Sequence, residues 1–160
     1  MNILHVMVGI PGSGKSTYAK KLSVELGCQL IATDDIRNAH PDWIENDIWP
    51  EAYRLCAEAL KNNQDVIFDA TNITPKVRKR LVDEVKKHNV DFQVGCYFIQ
   101  TDRYECLRRV IKRNENKDAR YLPPEVVYNY ADKLIPPKLE EGFIFVKVIE
   151  REKNRDLNEV

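Results

Sequence analysis

The sequence predicts an α/β fold: a five-stranded parallel sheet, ordered 2-3-1-4-5, with helices on both faces. Three observations lead there. Five short apolar runs alternate with stretches of helical spacing. The runs are almost continuously apolar, as strands buried on both faces should be. Three of only six glycines, Gly9, Gly12 and Gly14, crowd directly behind the first run, where a strand-to-helix turn needs bare backbone.

The elements follow in order. Asn2 to Val8 reads as the first strand, and Ser16 to Leu26 as a helix with Ala19, Leu22 and Leu26 on one face and Gly27 as its stop. Gln29 to Thr33 is the second strand. The stretch 34–50, with two prolines and many Asn and Asp residues, predicts a loop or short helical turns, followed by a helix from about Pro50 to Lys61. Val66 to Asp69 is a strand ending in a carboxylate. Thr74-Pro75 supplies an N-cap and first helical position, and Val77, Leu81 and Val85 carry the helix to about Lys87. Phe92 to Ile99 is the fourth strand, with a helix over Arg103 to Arg113 and another opening at Pro123-Pro124. Phe143 to Ile149 is the fifth strand, and the charged segment from Glu150 is expected to fray.

A chain of 160 residues has the length of one domain, expected to span residues 1–150 with a charged tail over 151–160. No apolar run approaches the ~18 residues that cross a bilayer, and residues 1–8 lack the features of a secretory leader, so a cytoplasmic protein without a membrane partner is expected. Cys28, Cys56, Cys96 and Cys106 form no C-x-x-C pair and read as reduced thiols. His5, His40 and His88 show no metal-ligand spacing. The 25 basic and 25 acidic residues cancel, which argues against a protein that coats long DNA. The cancellation hides an asymmetry: residues 76 to 120 hold 13 Lys/Arg against 7 Asp/Glu, a basic surface suited to anionic ligands.

The strongest chemical signal is Gly9-Ile10-Pro11-Gly12-Ser13-Gly14-Lys15-Ser16, which fits G-x-x-x-x-G-K-[ST] between a strand and a helix, a P-loop. Its backbone N–H groups, those of Gly9, Gly12, Ser13 and Gly14 included, can curl around a phosphate at the helix N-terminus. Lys15 can reach the β- and γ-phosphates of ATP, Ser16 can ligate Mg²⁺, and Thr17 can reach the α-phosphate. The pattern predicts the P-loop NTPase fold.

In a parallel sheet the strand ends share one edge. Asp34 then faces the phosphates as a candidate general base, with Arg37 placed to hold an anionic acceptor, whereas Asp35 reads as a helix cap. Asp69 has the position of the carboxylate that holds the metal, and Thr71 and Asn72 are either substrate-positioning groups or a turn and cap. Arg113 and Arg120 are candidates to neutralise the transferring phosphoryl. Arg108, Arg109 and Lys112 read as a solvated helix face, and Trp43, Trp49, Tyr121, Tyr128 and Tyr130 as packing residues.

Taken together, G-I-P-G-S-G-K-S-T, T-D-D-I-R, V-I-F-D-A-T-N-I-T-P and Arg113-Asn114 ahead of Leu122-Pro123 resemble the polynucleotide kinase family, whose phage members carry a kinase domain of this kind. The resemblance runs from about residue 3 to residue 135. It implies an ATP- and Mg²⁺-dependent kinase that phosphorylates the 5′-hydroxyl of DNA or RNA. It implies Asp34 as the base, Arg37 as the contact to the acceptor's phosphate, and a lid cation, Lys117 or Arg120, on the ATP phosphates. Two departures stand out: Ala70 precedes the T-N pair, with the acid one place earlier at Asp69, and the chain lacks the length of a phosphatase domain, so no 3′-end repair is expected. The same motif set occurs in kinases of small molecules and of aminoacylated tRNA. A slowly hydrolysing ATP switch would need no acceptor-side base.

Overall fold

The sheet follows from the register of its first strand. In the computed structural model, which describes residues 1–151, β1 (Ile3–Val8) is central and buried from Leu4 onward. It pairs in parallel with β3 (Val66–Asp69) on one side and β4 (Gln93–Thr101) on the other. β2 (Gln29–Ala32) extends the sheet beyond β3, and β5 (Phe145–Arg151) beyond β4, giving the order β2-β3-β1-β4-β5. This is the predicted topology. All four pairings are parallel, so the carboxyl ends of the strands line one edge.

Helices cover both faces. α1 (Lys15–Leu26) packs Ala19 and Leu22 with Met7, Ile67, Tyr97 and Ile99 on one face. On the other face α3 (Glu45–Lys61) and α4 (Pro75–Lys86) enclose Leu4, Val6, Val8, Phe68 and Phe98 in the larger core. α5 (Arg103–Asn114) and α6 (Pro124–Lys133) form a separate small core with Ile10 and Ile73 at the carboxyl edge of the sheet.

Three expectations need correction. The expected short helical turns after β2 are α2, Thr33–Ala39, which takes Thr33 from the strand, but α3 begins at Glu45 rather than Pro50. Ile48, 1% exposed, anchors the early turns of α3, and Asp47 accepts from the Ile44 N–H. Pro50 therefore interrupts the helical hydrogen bonding only near the helix start, where the loss is offset by that burial. The buried stripe of α4 is Arg78, Leu81 and Val85, with Val77 only half-buried. The last strand lies later than predicted, and Glu150 pairs with Gln100 instead of fraying. The remaining tail, 152–160, lies outside the described residues.

The four cysteines are unpaired, and burial pushes the Cys96 and Cys106 thiols up to about 12. Among the described residues no helix is long and apolar enough to cross a membrane.

Candidate active site

The P-loop is anchored through its own backbone on both sides. The Gly9 N–H donates to the Thr71 carbonyl (3.1 Å), and Thr101 Oγ1 donates to the Ser13 carbonyl (2.7 Å). Gly12 has φ +83°, and a Cβ there would lie 2.5 Å from the Cys106 carbonyl oxygen of α5. Only glycine permits both the left-handed turn and that approach. Ser13 is 1% exposed and its hydroxyl finds no partner, so its route to a phosphate is through the backbone.

Asp69 ends β3 beneath the loop, 5% exposed. Its two oxygens accept from Lys15 Nζ (2.5 Å) and Ser16 Oγ (2.8 Å). A hydroxyl and a buried carboxylate 2.8 Å apart make a hard-oxygen pair that fits Mg²⁺. Thr17 stands exposed on the first turn of α1.

Of the two roles left open for Asn72, substrate positioning or a turn, the structure shows the turn. It is fully buried, with φ +48°, and its amide nitrogen donates to the Met7 carbonyl (2.8 Å). It ties the end of β3 to the end of β1 just ahead of the P-loop, and burial keeps it from a substrate. Thr71 acts through the carbonyl that accepts from Gly9.

At the other side of the edge, Asp34 lies in the first turn of α2 with its side chain 68% exposed. Arg37 Nη1 donates to it (2.7 Å) and so does Arg120 Nη1 (3.3 Å), from a position 86 residues away. The loop carrying Arg120 and Lys117 is pinched at its base: the Asn114 side chain donates to the Leu122 carbonyl and accepts from the Leu122 N–H. Arg113 is exposed in the last turn of α5.

Three functional placements escaped the sequence reading. Arg109, expected on a solvated face, donates from Nη1 to the Gly12 carbonyl (3.2 Å) and from Nε to Glu105 (3.0 Å). Its spacing four residues before Arg113 was the available signal. Glu45 accepts a two-pronged pair from Arg37, Nε at 2.8 Å and Nη2 at 2.7 Å. Hydrogen bonding from Arg37 holds the Glu45 carboxyl below its usual value despite partial desolvation. Arg78, 2% exposed, donates to Glu141 and to the carbonyls of Asn72 and Ile135. It fastens the segment behind α6 to the floor of the site; its place on the same stripe of α4 as Leu81 and Val85 was the clue.

The profile of the AAA domain family matches residues 4–137. The chain belongs to this family. Similar proteins include the bifunctional polynucleotide phosphatase/kinase of Schizosaccharomyces pombe, 27% identical over 90% of this chain and 32% of that one. Another is the L-seryl-tRNA(Sec) kinase of Methanococcus maripaludis, 28% identical over 84% of this chain and 53% of its own length. This AAA-domain chain thus spans about a third and about half of these curated relatives. The structure of Chaetomium thermophilum Kti12 in complex with ADP-AlF3 superposes with a TM-score of 0.75 at 16% identity, covering 98% of this chain and 93% of that one. That likeness establishes the fold, the α/β P-loop NTPase fold.

Proposed function

We propose that the protein is an ATP-dependent phosphotransferase whose acceptor is a polynucleotide 5′-hydroxyl. The observation that carries this reading is the Asp34 carboxylate, held by two arginines at the same sheet edge as the P-loop. A P-loop alone binds nucleotide. An exposed carboxylate flanked by cations supplies, in addition, a base for an incoming hydroxyl and positive charge for its anionic neighbour.

In the proposed reaction Asp34 accepts the proton of the acceptor hydroxyl as that oxygen bonds to the γ-phosphorus and the bond to the ADP oxygen breaks. Lys15 swings from Asp69 to the β,γ-oxygens, and the P-loop amides hold the β-phosphate. Ser16 and Asp69 would hold Mg²⁺, which when bound neutralises charge on the β- and γ-phosphates. Arg120 and Arg113 neutralise the equatorial oxygens, and Arg109 braces the loop at Gly12. Arg37 holds the phosphate that follows the acceptor hydroxyl.

The resemblance to the phosphatase/kinase relative supports a polynucleotide acceptor. A second reading, a hydroxyl carried on a tRNA, is supported by the seryl-tRNA kinase relative. Labelled ATP incubated with 5′-hydroxyl DNA and RNA oligonucleotides tests the choice. Labelled oligonucleotide is the expected outcome; none from either strand overturns the polynucleotide reading. Asp34→Asn tests the mechanism, with transfer lost and ATP binding kept; surviving transfer would remove Asp34 as the base.

A further inference from the structure

Arg37 presents five N–H donors in two directions. Those turned toward α2 are taken by Asp34 Oδ1 (2.7 Å) and Thr33 Oγ1 (3.2 Å). The outward fork of Nε and Nη2 is filled by the two oxygens of Glu45, at 2.8 and 2.7 Å. This parallel two-bond geometry is the one in which a guanidinium also receives a phosphate. Glu45 comes from the first turn of α3, eight residues along the chain, with its side chain 60% exposed, whereas Arg37 is only 20% exposed. The arginine is therefore fixed and the carboxylate is the outer, exchangeable member. With its carboxylate facing solvent, Glu45 is the member open to exchange with a competing anion.

We propose that Glu45 is an internal stand-in for the acceptor's phosphate, and that an acceptor must expel it from the outward fork of Arg37 to bind. The inference rests on the assignment of Arg37 to the acceptor side. Its consequence is selectivity. A neutral hydroxyl compound gains nothing from Arg37 while Glu45 is in place. A carboxylate competes only as an equal against a group that is already tethered, at high effective concentration. A phosphate, monoester or diester, presents the same two-oxygen edge to the fork and is held besides by the rest of the acceptor, so it displaces Glu45. Glu45 thus restricts the site to hydroxyl acceptors that bear a phosphate, and in its resting position keeps Arg37 aligned beside Asp34.

The test measures binding by calorimetry without ATP, using a nucleoside 3′-monophosphate and the same nucleoside lacking phosphate. Glu45→Ala is expected to bind the 3′-monophosphate about fivefold tighter, the fold-change equivalent to ~1 kcal/mol, and to leave nucleoside binding unchanged. Glu45→Gln, which keeps the side-chain length, should gain less and guards against a folding defect in the alanine variant. Adding Arg37→Ala should erase the gain. Unchanged or weaker binding of the 3′-monophosphate by both variants overturns the proposal and makes Glu45 a strut for Arg37. Equal tightening for the nucleoside overturns it too, since the gain would not pass through the anion. The oligonucleotide assay separates this result from the proposed function. Tightening without labelled oligonucleotide keeps the clamp and removes the polynucleotide acceptor; labelled oligonucleotide without tightening does the reverse.

Discussion

The P-loop side and the Asp34 side of the sheet edge are built by different physics. On the P-loop side the contacts are largely buried: Ser13 is 1% and Asp69 5% exposed, and α5 backbone fills the space beside Gly12. On the Asp34 side, Asp34, Glu45 and Arg120 have side chains 68%, 60% and 59% exposed, and Asp34 and Glu45 are joined to arginines by charged, solvent-facing hydrogen bonds. Buried hydrogen bonds are unscreened and costly to break. Exposed ion pairs are screened and exchange readily. The difference suits the proposed reaction, in which the P-loop holds the same phosphates every cycle while the Asp34 side admits and releases the acceptor.

Substitutions can break that comparison, beginning with the chemistry. Lys15→Ala and Asp34→Asn should each lower the transfer rate by about 10²–10⁴-fold. Only the first should also weaken ATP binding, as read by titration against the unlabelled nucleotide. Next comes the buried strut behind the site. Arg78→Met leaves Glu141 without its cation and should cost about 3–5 kcal/mol in urea unfolding. Adding Glu141→Leu should return part of that loss. By contrast, Arg37→Met on the exposed side should cost no more than about 1 kcal/mol of stability.

Gly12→Ala is a smaller perturbation and sharpens the P-loop half. It strains a residue at φ +83° and drives a methyl against the Cys106 carbonyl, so about 1–3 kcal/mol should be lost in thermal unfolding, together with nucleotide affinity. The smallest effect is that of pH. His5 is 3% exposed, with Asp65 on one ring nitrogen and Tyr97 on the other. Burial depresses its pKa, and Asp65 only partly opposes this. The unfolded chain then binds the proton more readily, so stability present at neutral pH should fall as pH drops below about 6.5. Melting temperature followed from neutral to mildly acid pH should decline, and His5→Gln should flatten that decline.

Much of the fold was legible because the signals were local. VIFD and the Thr74-Pro75 cap gave β3 and the start of α4 to the residue, since an apolar run and a capping side chain act on their neighbours. The start of α3 was not legible: Pro50 reads locally as a boundary, and only the burial of Ile48 against the core overrides it. Asn72 carries the side chain of a binding residue, yet the closeness of β1 and β3 turns its amide to Met7. Arg109 and Arg113 look alike in sequence, and packing alone brings Arg109 to Gly12, 97 positions away.

By itself the sequence determined the alternation of strands and helices, the phosphate loop and the acids that end β3 and begin α2. Hydrophobic period, glycine freedom and strand length are properties of a few adjacent residues. Tertiary structure alone decided which charges meet. It gave Lys15 and Ser16 to Asp69, Arg120 to Asp34, Glu45 to Arg37 and Glu141 to Arg78. The physical reason is that a charge's partner depends on distance in space and on exclusion of water, and both are set only when the sheet brings distant segments to one edge.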